Sequence, residues 1–258
     1  MHNAGFRSLG LEFTYVAFDT VDTDTAIAAM RVMGIRGFSL TIPHKERVLA
    51  LLDDATPEAE KIAAVNTVIN DGEKLLGENT DWWGIVEAFK EAKREVKAAR
   101  VLLIGAGGAA RAAVYALQCL DVGSILISNR TLERAESLAA EFDVDATSFE
   151  SLAKKDLKGF DVIVNSSAIG TKQSGAQRVD YPINLDSLTK KQLVFDMATV
   201  NTPLLDSACS AGAVAISGIR MLLFQALKQF ELFTGSPAPM GEMEQALLEE
   251  YSRQEQSG

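Results

Sequence analysis

Short apolar runs alternate with amphipathic stretches along nearly the whole chain, a pattern that predicts layered α/β structure with mainly parallel strands. In the first third, strands are predicted at FTYVAF (13–18), GFSLTI (37–42) and AVNTVIN (64–70), and LLGENT (75–80) follows a turn at Asp71-Gly72. A helix between the first two starts near Asp22 or Thr23 as N-cap and stops at Gly34. Another follows Pro43 and puts Val48, Leu49 and Leu52 on one face. A polar helix is expected from Asp81 to Lys97, its charge run lying on a solvated face.

From Arg100 the alternation sharpens into strand VLLIG, a glycine turn, helix ARAAVYALQCL, strand SILISNR and helix LERAESLAAEF. Strands at DVIVNS, LVFDM and VAIS follow, then a helix over 218–234 with Met221, Leu222, Ala226 and Phe230 at core spacing. The polar tail is expected to be helical over EMEQALLEEY.

The 258 residues are 47% hydrophobic and 23% charged, enough chain for one large domain or two modest ones that need no metal or disulfide to hold a core. A net charge of -10 offers no broad cationic field, which argues against nucleic acid or an anionic membrane as a main partner. Cys119 and Cys209 are expected to be buried thiols of a reducing compartment. His2 and His44 are the only histidines, so no His-rich metal cluster is possible and no metal is expected. The start MHNAGFRSLG lacks a basic region followed by an apolar run, and no stretch is apolar enough to span a bilayer. A cytoplasmic protein is therefore expected.

GAGGAAR, from Gly105 to Arg111, follows an apolar strand and opens a helix. Gly105 permits the tight turn, Gly107 lets the backbone approach a pyrophosphate, and Ala110 is small enough for close helix–strand packing. Gly105, Ala106, Gly107, Gly108 and Ala109 thus form a candidate dinucleotide loop at the positive end of a helix. An NAD site usually carries Asp or Glu at the end of the next strand. Here that strand ends Ser128-Asn129-Arg130-Thr131, with Arg134 one turn later, and two guanidinium groups suit a 2′-phosphate. NADP is favoured over NAD.

Two polar patches lie at strand ends in the first third: Thr41-Ile42-Pro43-His44-Lys45 and Asn79-Thr80-Asp81. Together with MHNAGF, GIRGFSLTIPHKE, AAVNTVI, NTDWWG, GAGGAARA, NRTLERA, VNSSAIG and GIRMLLFQALKQFELFTG, in that order, they closely resemble the shikimate dehydrogenase family. The resemblance implies NADPH-dependent reduction of 3-dehydroshikimate to shikimate in aromatic amino-acid biosynthesis. It implies an α/β substrate domain over 1–98, a Rossmann-type doubly wound NADP-binding domain over 99–217, and C-terminal helices over 218–258 returning to the substrate domain. Lys45 and Asp81 match the family's catalytic pair and also its substrate site, with Thr41, Asn66 and Gln225. Asn129, Arg130, Thr131 and Arg134 match its NADP site, and Met197 and Gly218 its nicotinamide end. Either Lys45 or Asp81 could transfer the proton.

The resemblance also implies a strand and a loop of the form GxPxxHSxSP ahead of MHN, whose serines hold the substrate carboxylate. Neither precedes Met1, and Thr199 stands where a tyrosine is common. A first sheet short of one strand is expected, with unpaired ladder groups and an open apolar slot. Two explanations stay open: a start placed too late, or a paralogue without the carboxylate clamp that binds NADP with little or no turnover. A quinate or amino-shikimate dehydrogenase is a third reading.

Overall fold

The computed structural model describes residues 1–41, 43–171 and 181–257, the last four of these by backbone alone. Residue 42, the last of the predicted strand GFSLTI, lies outside the described residues. The chain divides into two compact units: Met1–Gly84 together with the chain from Leu223 onward, and Ile85–Leu222.

The first unit opens with α1 (His2–Ser8) and α2 (Thr23–Met33). The Asp22 carboxylate caps α2 by accepting from the Thr25 amide at 3.0 Å, and Gly34 closes it in the left-handed conformation. Then come β1 (Gly37–Ser39), α3 (His44–Arg47) running into a 3-10 turn over Val48–Leu51, β2 (Asp54–Ala55) and α4 (Pro57–Ile62). The hairpin β3 (Thr67–Asn70) and β4 (Leu75–Glu78) follows, and α5 (Asp81–Glu91) leads out of the unit. The strands form a sheet in the order β1-β3-β4-β2, antiparallel except for β2 against β4. Ile27, Met30, Val48, Ala59, Val65, Val68 and Leu75 make one apolar cluster. His2, Phe6 and Phe230 stack in another.

Two local expectations are corrected here. FTYVAF forms no strand, and Phe13, Val16 and Phe18 are exposed. Among the described residues no strand lies alongside this segment, and alternation without a partner strand does not hold a strand. Instead the Asn3 carboxamide takes both backbone groups of Tyr15, at 2.7 and 2.8 Å. The helix expected to reach Lys97 ends at Glu91, where Lys93 turns left-handed (φ 51°) and Val96 folds inward to 5% exposure. The elements β2 and α4 were not legible, being two and six residues long.

The second unit contains β5 (Arg100–Ile104), α6 (Gly108–Cys119), β6 (Ser124–Asn129), α7 (Leu132–Phe142), β7 (Asp145–Ser148), α8 (Phe149–Leu152), β8 (Val162–Asn165), β9 (Leu193–Asp196), α9 (Pro203–Ser210) and β10 (Val214–Ser217). Its sheet is parallel throughout, in the order β10-β9-β8-β5-β6-β7. The winding reverses between β5 and β8, which is the doubly wound arrangement, and ligands of such sheets bind at the carboxyl ends beside the reversal. Strand β7 was not anticipated; it is a short polar edge. Helix α10 (Gly218–Thr234) spans the predicted residues, and α11 (Met240–Ser257) is longer than EMEQALLEEY.

Cys119 and Cys209 are exposed, against the expectation of buried thiols. Each sits at the end of a helix, past the buried faces that end at Leu117 and Ala208. Among the described residues no helix is long and apolar enough to cross a membrane.

Candidate active site

In the first unit, residues far apart in sequence converge on one buried carboxylate. Lys45 lies in α3, and its carbonyl accepts from the Val65 amide at 2.8 Å, which ties the lysine to the approach of β3. Asp81 opens α5, where the unpaired amides of a first turn favour a carboxylate. The Lys45 Nζ donates to Asp81 Oδ2 at 2.6 Å, with the side chains 17% and 6% exposed.

Asn66, 1% exposed, donates through Nδ2 to Asp81 Oδ1 at 2.9 Å and to Thr80 Oγ1 at 3.0 Å. Its Oδ1 accepts from the Thr80 amide and the Thr67 hydroxyl, each at 2.8 Å. Every hydrogen-bonding group of this amide is engaged within the protein. Gln225 reaches the same set through a long 3.4 Å contact with Thr80 Oγ1. Thr41 is exposed and its carbonyl accepts from the His44 amide at 2.9 Å; no contact links its side chain to Asp81. Burial also pushes the Glu78 carboxyl up, against the opposing pull of the Asn79 amide and Thr56 hydroxyl.

Thr67, Thr80 and Gln229 belong to this set; Thr80 lies in the polar patch Asn79-Thr80-Asp81, while Thr67 and Gln229 carry no expectation from the sequence. Thr67 and Thr80 sit inside AVNT and NTD, and Gln229 lies one helical turn after Gln225. That i, i+4 spacing was the available signal.

In the second unit the glycine turn has the expected form. Gly105 adopts φ +115°, and a Cβ there would sit 2.5 Å from Ser166 Oγ. Gly107 N-caps α6 with no side-chain cap, and the space where its Cβ would stand has no neighbour within 4 Å. Gly108 and Ala109 begin α6 with Ala106 before it, and Ala110 is wholly buried. The open amides of this first turn suit a pyrophosphate. Arg111 pairs with Glu141, so its guanidinium serves α6–α7 packing.

Asn129 ends β6 and donates to the Thr131 carbonyl at 2.9 Å, shaping the bend into α7. Arg130, Thr131 and Arg134 are exposed, and neither arginine has an acidic partner among the described residues. Met197 follows β9, and the structure brings it against Gly218: a Cβ on Gly218 would lie 2.2 Å from the Met197 carbonyl oxygen. Gly218→Ala is therefore expected to unseat the start of α10, lowering stability by about 1–3 kcal/mol as a backbone overpacking. Urea unfolding would measure it, and an unchanged midpoint would show that the turn yields. Beside Met197, Asp196 is buried and its carboxyl is pushed up by burial, while Thr202 and Asn165 donate to it at 2.7 and 3.1 Å.

The first unit thus holds a lysine–carboxylate pair and the second a dinucleotide-type turn. The chain matches "Shikimate dehydrogenase substrate binding domain" over residues 1–68, "Shikimate / quinate 5-dehydrogenase" over 87–201, and "Shikimate 5'-dehydrogenase C-terminal domain" over 218–248. The NADP(+)-type shikimate dehydrogenase of Maridesulfovibrio salexigens is 37% identical, over 96% of this chain and 90% of that one. The chain belongs to the shikimate dehydrogenase family. Among solved structures of this family, shikimate 5-dehydrogenase from Thermus thermophilus, in complex with NADP(H) and shikimate, has a TM-score of 0.84 at 33% identity. That match covers 96% of this chain and 92% of the other. Quinate dehydrogenase from Corynebacterium glutamicum, in complex with NAD, has a TM-score of 0.88 at 28% identity, over 96% and 92%.

Proposed function

We propose that the protein reduces 3-dehydroshikimate reversibly to shikimate with NADPH, and that Lys45 and Asp81 manage the proton. The observation that carries this reading is the 2.6 Å contact between the Lys45 ammonium and a carboxylate that is itself held by Asn66. NADPH, when bound, supplies the hydride to the ketone carbon. Lys45 places a cation and a proton beside the carbonyl oxygen, where negative charge builds as the alkoxide forms. Asp81 holds the ammonium in position through the 2.6 Å contact, and in the reverse direction the pair takes up the alcohol's proton. Gln225 and Thr41 offer groups that both donate and accept, suited to a polyhydroxylated ring.

For the cofactor, Gly105 to Ala109 would receive the pyrophosphate, with Met197 and Gly218 at the nicotinamide end. Arg130 and Arg134, with Asn129 and Thr131, would hold the 2′-phosphate. Arg130→Ala is expected to weaken NADPH roughly 10–100-fold, the loss of one charge-assisted contact, and NADH hardly at all. Titration calorimetry with both cofactors would show it; equal losses would dismiss the phosphate clamp. The same reading carries a cytoplasmic location and a monomeric or homodimeric state.

The direct test follows NADPH absorbance while the protein oxidises shikimate with NADP+, with quinate run in parallel. Turnover of shikimate ahead of quinate supports the proposal. NADPH binding without turnover of shikimate would replace it with a non-catalytic member, and faster quinate turnover with a quinate dehydrogenase.

A further inference from the structure

Gln229 is 2% exposed on α10, and the reaction proposed above makes no use of it. Its carboxamide is engaged at both ends. Oε1 accepts from the Ser39 hydroxyl at 2.8 Å, while Nε2 donates to Thr67 Oγ1 at 2.9 Å and toward the Asn66 carbonyl at 3.4 Å. A hydroxyl carries a single hydrogen. Because Thr67 accepts from Gln229, its own hydrogen is directed onward, to Asn66 Oδ1 at 2.8 Å. Together with the Thr80 amide, which donates to the same oxygen at 2.8 Å, this sets the Asn66 NH2 toward Asp81 Oδ1 at 2.9 Å, and the other oxygen of Asp81 receives the Lys45 ammonium at 2.6 Å. One donor direction runs through three buried contacts from Gln229 to Asp81, where the Lys45 ammonium donates from the other side.

We infer that Gln229 is a positioning residue: by donating to Thr67 it orients the Asn66 amide, and through that amide it holds Asp81 against Lys45. The inference rests on the reading of Lys45 and Asp81 as the catalytic pair. Its force lies in polarity and not in the count of bonds. Glutamate at this position has the same shape but, when ionised, only accepts. The Thr67 hydrogen would then turn back to it, and Asn66 Oδ1 would lose a donor. Methionine offers no donor and only a weak acceptor there, and leaves Thr67 free to serve Asn66 as before.

The test compares Gln229→Glu with Gln229→Met at neutral pH, both checked for folding by thermal unfolding. Gln229→Glu should lose kcat roughly 10–100-fold, the scale of an ångström-sized misplacement of reacting groups, with the shikimate KM changed only a few-fold. Gln229→Met should stay nearer the parent, although it removes more hydrogen bonds. A readout without substrate runs beside it: labelling of Lys45 by trinitrobenzenesulfonate, followed by peptide mapping, should rise in Gln229→Glu. Should the parent fail to turn over shikimate, the dehydrogenase reading falls while the labelling still judges the relay. Equal kcat loss in both variants, or unchanged kcat and labelling in Gln229→Glu, overturns the inference. If Gln229→Glu does not fold, Thr67→Val breaks the same relay, and parental kcat in that variant overturns it too.

Discussion

Lys45→Ala is expected to lower kcat for shikimate oxidation about 10²–10⁴-fold, the usual cost of losing a positioned acid–base group. The shikimate KM should move less, because other groups hold the ring. The reason lies in the surroundings of the pair. Asp81 is 4% exposed, its Oδ1 bound to Asn66 and its Oδ2 to the lysine. Without Lys45 a nearly dry carboxylate faces the developing alkoxide, so repulsion replaces stabilisation. The same change leaves a buried charge without its counter-ion, a loss of about 3–5 kcal/mol in stability. Activity must therefore be compared at a temperature where unfolding curves show both proteins folded. Asp81→Asn removes the buried charge and is the milder partner for that comparison. A folded Lys45→Ala protein with parental kcat would show that the proton travels by another group.

Between pH 6.5 and about 4 the protein is expected to lose about 3 kcal/mol of stability through His2 alone. This imidazole is 6% exposed and stacked on Tyr15 at 4.4 Å, with its Nδ1 buried and unpartnered. Burial pushes its pKa from 6.5 to about 4, against a smaller opposing pull from a hydrogen bond with Gln229. The unfolded chain then binds a proton through this window that the folded chain refuses. Stability from His2 is complete above pH 6.5 and drains away as the pH falls toward 4. Glu78 and Asp196 act in the opposite sense: burial raises both, so their contributions are present at low pH and lost as the pH rises. His2→Phe isolates the imidazole, since it keeps the stack and removes the titration. Urea unfolding from pH 7 to 4 should show the parent losing the extra 3 kcal/mol, and parallel curves for the two proteins would dismiss the account.

The elements legible in the sequence are those whose signals are local. Asp22 and Gly34 bracket α2 because a cap and a left-handed closing residue act within one turn of the helix. The strand–glycine–helix run at β5 and α6 was legible because Gly105 answers to its own φ and to the residue it nearly touches. Helix α10 appeared at its observed length because its apolar spacing continues unbroken for 17 residues. The chemical residues Lys45 and Asp81 were legible by family likeness alone, since neither has a local signature of its own.

Tertiary structure decided the matters that depend on a distant partner. Phe13 to Phe18 alternates as a strand should, yet a ladder exists only where another backbone lies alongside. Cys119 and Cys209 are exposed because each lies just past the buried face of its helix. Asn66, Thr67, Thr80 and Gln229 are ordinary polar residues in sequence. Their common direction of donation onto Asp81 arises only when β3, the start of α5 and α10 are packed together, because a buried hydrogen bond is specified by where both partners end up. Sequence thus determined the locally signalled elements and the family, whose signals lie along the chain. Packing determined which way each buried donor points, and with it the setting of the lysine.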